Sequence, residues 1–321
     1  MQTGIGRKPI VVVGSINADL VAKVNEIPLA GETVLGSDFQ IHPGGKGANQ
    51  AVAVGRLGYP VFMIGKVGSD AFGEQLKAGL SGAGVDIRAV ETVETASGVA
   101  LISVSSRGEN CIVVAPGANA LVAPADIDAN LELIRNAGAV LVQLEIPLET
   151  VLHLATVCVR ENVPFILDPA PARELPPELL RAVTWFTPNE TEAQFYAHGG
   201  TRTLEADELK SKLFSLGIRG LVLKLGSRGA FIEAPGEVAS FIAPFRVNAM
   251  DTTAAGDAFN GAFATGLMLN KSPLESARFA SAAAAISVTR AGAQPSLASM
   301  DEVETLLNST DAAWSPAGVG V

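Results

Sequence analysis

The sequence predicts an α/β protein, a doubly wound and mostly parallel sheet flanked by helices, with a small β-sheet lid beside it. Three observations carry this. Short β-branched runs alternate with amphipathic stretches, the rhythm of βα units. Glycine is abundant at 33 residues while aromatics make up 5%, a balance that suits many tight strand–helix turns. Two segments then break the rhythm with strand-like patterns of their own.

Residues 10–13, 61–64, 139–143, 165–167, 184–186 and 221–225 are short apolar runs without alternation, as strands buried on both faces require. Between them, residues 47–57, 72–83, 125–135 and 148–161 carry helical periodicity. Residues 17–41 alternate polar and apolar positions with no helical period. Residues 98–114 read as a hairpin: VALISV, a turn at SSRGEN, then CIVVA. These two segments suit a small antiparallel sheet apart from the core, serving as a lid, a dimer patch or both. From residue 251 the pattern is helical, over 255–269, 273–289 and 298–307. The expected organisation is one domain over 9–308, with lid segments 17–41 and 98–114 inserted and a disordered tail at 309–321. No internal repeat occurs.

Composition narrows the function classes. Net charge is −10 and no basic run reaches five residues, so nucleic acid and anionic membrane are poor partners. Cys111 and Cys158 stand in apolar surroundings and are expected to be reduced core thiols. His42, His153 and His198 are scattered, without zinc-ligand spacing. No apolar run reaches the ~18 residues of a membrane span, and MQTGIGRKP lacks a signal-peptide apolar region, so a cytoplasmic location is expected. The sequons at Asn189 and Asn308 then carry no glycan.

Two motifs carry chemistry. In His42-Pro-Gly-Gly-Lys-Gly-Ala-Asn, glycines open a helix, Lys46 and Asn49 supply donors, and the helix N-terminus adds a positive dipole end. It is not a Walker A loop. In Asp251-Thr-Thr-Ala-Ala-Gly-Asp257, small residues run straight into a helix start whose orphan N–H groups can hold developing negative charge. A carboxylate beside such a hole is what phosphoryl transfer to an alcohol needs, although a first-turn aspartate also serves as a simple cap.

These segments resemble the two signatures of the ribokinase/PfkB family of carbohydrate kinases. VVGSINADL, GETV, GRLG, KVGSDAFG, PGANA, QLEIP, LDPAPA, TPNETEA, LGSRGA and AAAAISVTRAGAQPS follow the family in order, so the likeness spans about residues 9–308. It implies an enzyme that moves the γ-phosphate of ATP to O5 of D-ribose. A kinase for deoxyribose, another pentose or a nucleoside is the alternative. A sugar sensor would lack the base, and a phosphate-binding structural module would leave the sugar ring of residues unexplained.

By the same resemblance, Asn17, Asp19, Gly45, Lys46, Asn49 and Glu145 hydrogen-bond the sugar, and Ala100 and Ile112 cover its apolar face. Asp257 is the general base, with Ala255 and Gly256 as the anion hole. Asn189 and Glu192 organise phosphates and Mg²⁺. Lys224, Leu225, Gly226, Ser227, Arg228 and Gly229 lie along the nucleotide, with Ser281 near adenine. Asp251, Thr253, Ser287, Arg290, Gly292 and Ser296 hold a monovalent cation, K⁺. The resemblance also implies a homodimer through the β-lid. As residues alone, Asn17 and Asp19 suit turns, Glu145 a helix entry and Glu192 a solvated helix face.

Overall fold

The computed structural model describes residues 7–197 and 204–310; residues 1–6, His198 and the tail beyond 310 lie outside them. The chain enters through β1 (Ile10–Val13), leaves for β2 (Asn17–Lys23) and β3 (Asp38–Gly44), and returns along α1 (Lys46–Arg56) to β4 (Val61–Gly68). Next come α2 (Ala71–Gly82), β5 (Asp86–Val93), β6 (Gly98–Val104) and β7 (Asn110–Ala115). Short helices α3 (Pro124–Ala129) and α4 (Leu131–Arg135) lead to β8 (Ala139–Val142), α5 (Leu148–Glu161) and β9 (Phe165–Leu167). Then follow α6 (Pro177–Ala182), β10 (Trp185–Phe186), α7 (Glu190–Tyr196), α8 (Ala206–Ser215) and β11 (Leu221–Lys224). β12 (Ala230–Glu233) and β13 (Ser240–Ile242) precede α9 (Ala255–Met268), α10 (Pro273–Ser287) and α11 (Met300–Thr310).

Among the described residues the main sheet has nine strands in the order β13-β12-β11-β10-β9-β8-β1-β4-β5. Neighbours from β11 to β5 are parallel, and β12 and β13 are antiparallel additions at one edge. β1 is buried on both faces. Ile10 and Val12 join one core with α1, α2, α9, α10 and α11; Val11 and Val13 join the other with α3 to α8. Two-sided burial is why these strands read as unbroken apolar runs.

The six expected core strands are present. β5, β12 and β13 were not foreseen, because β5 and β13 are edge strands and β12 beside the edge is buried only at alternate positions, which weakens the apolar signal. The helix expected over 125–135 is two short helices broken at Asn130, whose ψ of 21° leaves the helical range. Residues 309 and 310 close α11 instead of belonging to a tail.

The small sheet has the order β3-β2-β6-β7. It is not wholly antiparallel: β2 and β6 run parallel, with Asp19 opposite Ala100. The cause lies in the main sheet. β2 follows β1 and β6 follows β5, and those parallel strands send the chain out at the same edge. Cys158 is buried, but Cys111 is exposed, because β7 is an edge strand exposed along its length. The expectation of two core thiols therefore fails for Cys111. Among the described residues no helix is long and apolar enough to cross a membrane.

α1 and α9 touch at Gly261, where a Cβ would lie 2.7 Å from Ala53 Cβ and 2.8 Å from the Gln50 carbonyl oxygen. Gly261→Ala gains at most about 1 kcal/mol of helix propensity. The clash with backbone costs about 1–3 kcal/mol, so the variant should be less stable in chemical denaturation.

Candidate active site

Polar residues collect at the C-terminal ends of the parallel strands, on either side of β1, where the chain order turns outward in both directions. Such a switch point leaves a crevice. Beyond β8, the Glu145 carboxylate accepts from Ser15 Oγ at 2.5 Å and from the Lys46 backbone N–H at 3.2 Å, so it ties the exit of β1 to the start of α1. Gly45 caps α1 with φ 88°, and a Cβ there would come within 2.7 Å of the Asn17 backbone nitrogen. Glycine is therefore required for α1 to begin against β2.

Asn17 is buried, and its Oδ1 accepts from Asn119 Nδ2 at 2.6 Å. Asn119 also holds the Ile16 backbone, accepting from its N–H at 2.9 Å. Asn119 had no role assigned from sequence, although PGANA was among the matched stretches. Asp19 lies close by in the same sheet. Burial first, then the charges of Glu145 and Asp257, push its carboxyl up to about 7. Ala100 is buried opposite Asp19; Ile112 shares that face by register but stands 51% exposed on the outer strand.

Asp257 sits in the first turn of α9, 5% exposed. The residue before this helix, Ala254, has φ 59°. Small residues at 254–256 leave the N–H groups of the first turn open to the cavity. Asp257 Oδ2 accepts from Asn49 Nδ2 at 3.0 Å and Oδ1 from Gln50 Nε2 at 3.1 Å. Burial pushes the carboxyl up to about 6, while Lys46 and the two amides pull it down. Lys46 in turn is held above its ordinary value. Burial opposes its charge, but Asp257, Asp168, Glu145 and Glu192 together outweigh that cost.

A cavity of about 650 Å³ runs from Lys46 and Asp257 to Asn189, Glu192 and Lys224, and on past Gly226, Ser227 and Gly229 to Ser281 and Val288. Lys224 Nζ donates to Asp168 Oδ1 at 3.0 Å and lies 3.5 Å from where a Cβ on Gly256 would be. A cation thus stands at the helix N-terminus that carries Asp257. Asn189 caps α7 and forms a reciprocal pair with Glu192: Asn189 Oδ1 accepts from the Glu192 N–H at 2.8 Å, and Glu192 Oε2 from the Asn189 N–H at 2.8 Å. The cap holds both side chains at the cavity wall. Burial, then the charge of Asp168, raises the Glu192 carboxyl. Leu225 and Arg228 do not line the cavity; Arg228 is exposed and pairs with Glu190.

Asp251 joins two loops. Its Oδ1 accepts from Thr253 N–H and Oγ1 at 2.9 and 2.6 Å, and its Oδ2 from the Gly292 N–H at 2.8 Å. The backbone N–H groups of Met250 and Asp251 donate to Val288 O. Ser287 and Ser296 are buried and bond backbone carbonyls with their hydroxyls, and the Arg290 guanidinium pairs with Glu302. The Arg290 side chain thus points to an acid.

Asp168, Gln50 and Gln143 were missed as site residues. Asp168 stood inside the matched LDPAPA and Gln50 inside GGKGANQ, but nothing local marked them as polar core groups.

The model of the pfkB family carbohydrate kinases matches residues 7–300. A ribokinase of Haemophilus influenzae is 42% identical over 302 residues, 92% of this chain and 97% of that one. A deoxyribokinase of Salmonella typhi is 36% identical over 305 residues, 93% of this chain and 98% of that one. The structure of Arabidopsis thaliana ribokinase complexed with ribose and ATP aligns with TM-score 0.86 at 35% identity, covering 96% of this chain and 99% of that one.

The raised Asp19 carboxyl has a measurable consequence. Between the ordinary carboxyl value of 3.8 and about 7 the unfolded chain has lost this proton while the folded chain keeps it, so stability falls as pH rises through that window. Asp19→Asn removes the penalty. The variant should melt several degrees above the parent at pH 8, and the gap should close below pH 4.

Proposed function

The chain belongs to the pfkB family of carbohydrate kinases, and from that premise we propose that it transfers the γ-phosphate of ATP to O5 of D-ribose, giving D-ribose 5-phosphate. One observation carries the reading: a buried carboxylate, Asp257, stands between a ring of sugar-matching polar groups and an open helix N-terminus. Near-full-length relatives that bear the name ribokinase support it.

Asn17, Asp19, Gly45, Lys46, Asn49 and Glu145 bind the secondary hydroxyls, and Ala100 and Ile112 close over the apolar face. The primary hydroxyl then faces Asp257, which takes its proton as the oxygen attacks. The N–H groups of Ala255 and Gly256 hold the moving phosphoryl, helped by Lys224. The nucleotide lies along Gly226–Gly229 toward Ser281. The cavity's carboxylates fit a hard divalent cation: Asn189 and Glu192 would hold Mg²⁺ through water, and the ion would supply neutralisation of phosphate charge. The oxygens around Asp251, Thr253, Ser287, Arg290, Gly292 and Ser296 fit K⁺, which would fix the loop before α9. Location in the cytoplasm accords with this substrate pair. The deoxyribokinase relative supports 2-deoxyribose as the second reading.

A coupled assay over a pentose panel tests this. Ribose should exceed 2-deoxyribose roughly 5- to 150-fold, because a missing hydroxyl strands a buried partner at about 1–3 kcal/mol. Turnover should need Mg²⁺, rise with K⁺ over Na⁺, and fall as pH drops through about 6, where Asp257 takes up its proton. Asp257→Asn should lower kcat roughly 10²–10⁴-fold with ribose affinity nearly intact. Equal use of ribose, xylose and arabinose would overturn the substrate.

We also infer a homodimer through the small sheet. On the face turned away from Asp19, Phe39, Ile41, Leu101 and Val113 stand 60, 48, 51 and 59% exposed. An apolar sheet face of this kind calls for cover. Light scattering should give twice the chain mass; a value near 33.0 kDa at micromolar concentration would contradict it.

A further inference from the structure

Gln50 lies on α1 beside Asn49 and is fully buried. An amide in such a place is costly unless its polar atoms are paired. Here they are. Nε2 donates to two carboxylates at once, Asp168 Oδ2 at 3.0 Å and Asp257 Oδ1 at 3.1 Å, and Oε1 accepts from Gln143 Nε2 at 2.6 Å. Charge sets the orientation of this amide. Turned over, it would aim its oxygen at both acids and its nitrogen at the donor of Gln143.

We propose that Gln50 is a positioning residue for the transfer: its amide locks the Asp257 carboxylate in the reacting orientation and ties it to the Asp168–Lys224 pair at the anion hole. The proposal rests on Asp257 being the base. Asn49 takes one oxygen of that carboxylate and Gln50 the other, so its plane cannot turn. On the far side, Asp168 gives its second oxygen to Lys224 Nζ at 3.0 Å. An unbroken chain, Asn49–Asp257–Gln50–Asp168–Lys224, thus connects the group that takes the proton with the cation beside the phosphoryl site. Gln143 orients its central member. None of these roles requires Gln50 to touch the sugar or the nucleotide.

Gln50→Met keeps the volume and removes the amide. It should lower kcat about 10- to 100-fold, the range of a hydrogen bond to a charged group, with ribose KM changed by less than about threefold. In an Asp257→Asn background, followed in single turnover, the same substitution should cost less than about threefold, because the group it positions has changed. A loss that is equal in both backgrounds, or a single variant within about threefold of the parent, overturns the proposal. Should Gln50→Met fail to give a cooperative melt, Gln143→Leu decides: it leaves Gln50 in place but frees its amide. Its loss of kcat should be smaller and should likewise vanish beside Asp257→Asn; a loss that persists there overturns the proposal. Full turnover in Asp257→Asn alone would instead refute the reading of the base, an outcome separate from either Gln50 result.

Discussion

Asp257 must be buried and still able to carry charge, and most of the surrounding structure answers to that. Burial alone would keep the carboxyl protonated, and in the role of base proposed for it a protonated acid could not take a hydroxyl proton. Lys46 counters through its charge, Asn49 and Gln50 through donors to both oxygens. Those three residues come from the first turns of one helix, α1, and the acid comes from the first turn of another, α9. The two helices must therefore meet closely, and the glycine at 261 is what permits it.

The balance of charge around this acid favours particular ligands. Asp19, Glu145, Asp168, Glu192 and Asp257 are set against Lys46 and Lys224. Under the proposed function, an anionic nucleotide entering such a cavity would bring cations with it, in line with the proposed divalent ion. Burial first, and then the nearby charges of Glu145 and Asp257, make Asp19 one of the most perturbed carboxyls. In the proposed function a hydroxyl-rich ligand would relieve that stress by donating to the carboxylates, so groups that destabilise the empty protein would be those that recognise the sugar.

The small sheet grows from the same geometry. β2 and β6 are extensions of the main sheet's outgoing edge, so the lid is attached beside the crevice instead of reaching it from afar. One of its faces presents Asp19 and Ala100 to the site, and the other presents apolar side chains outward. Sugar binding and the apolar face are thus two sides of one thin layer, joined by the two-residue alternation of strands.

The core strands were legible in the sequence because burial on both faces writes an unbroken apolar run, as Ile10–Val13 does. The two glycine motifs were legible because backbone that approaches a ligand closely tolerates little else. The partly buried strands β5, β12 and β13 were not, since a wet face dilutes the pattern. Nor was the parallel pairing of β2 with β6, which depends on where two distant strands leave the main sheet. Exposure of Cys111 and the break at Asn130 also followed from context, not composition. For the site, local motifs pointed to Asp257, Lys46 and Asn49, and the family resemblance added Asp19. The network behind them, Gln50 with Gln143, Asp168 and Lys224, joins residues up to 174 positions apart, from three strand ends and a helix. A glutamine within an alanine-rich helix has no local mark of function. It acquires one only when folding removes water and leaves two carboxylates as its partners, because pairing in a dry interior is decided by what tertiary structure brings within about 3 Å.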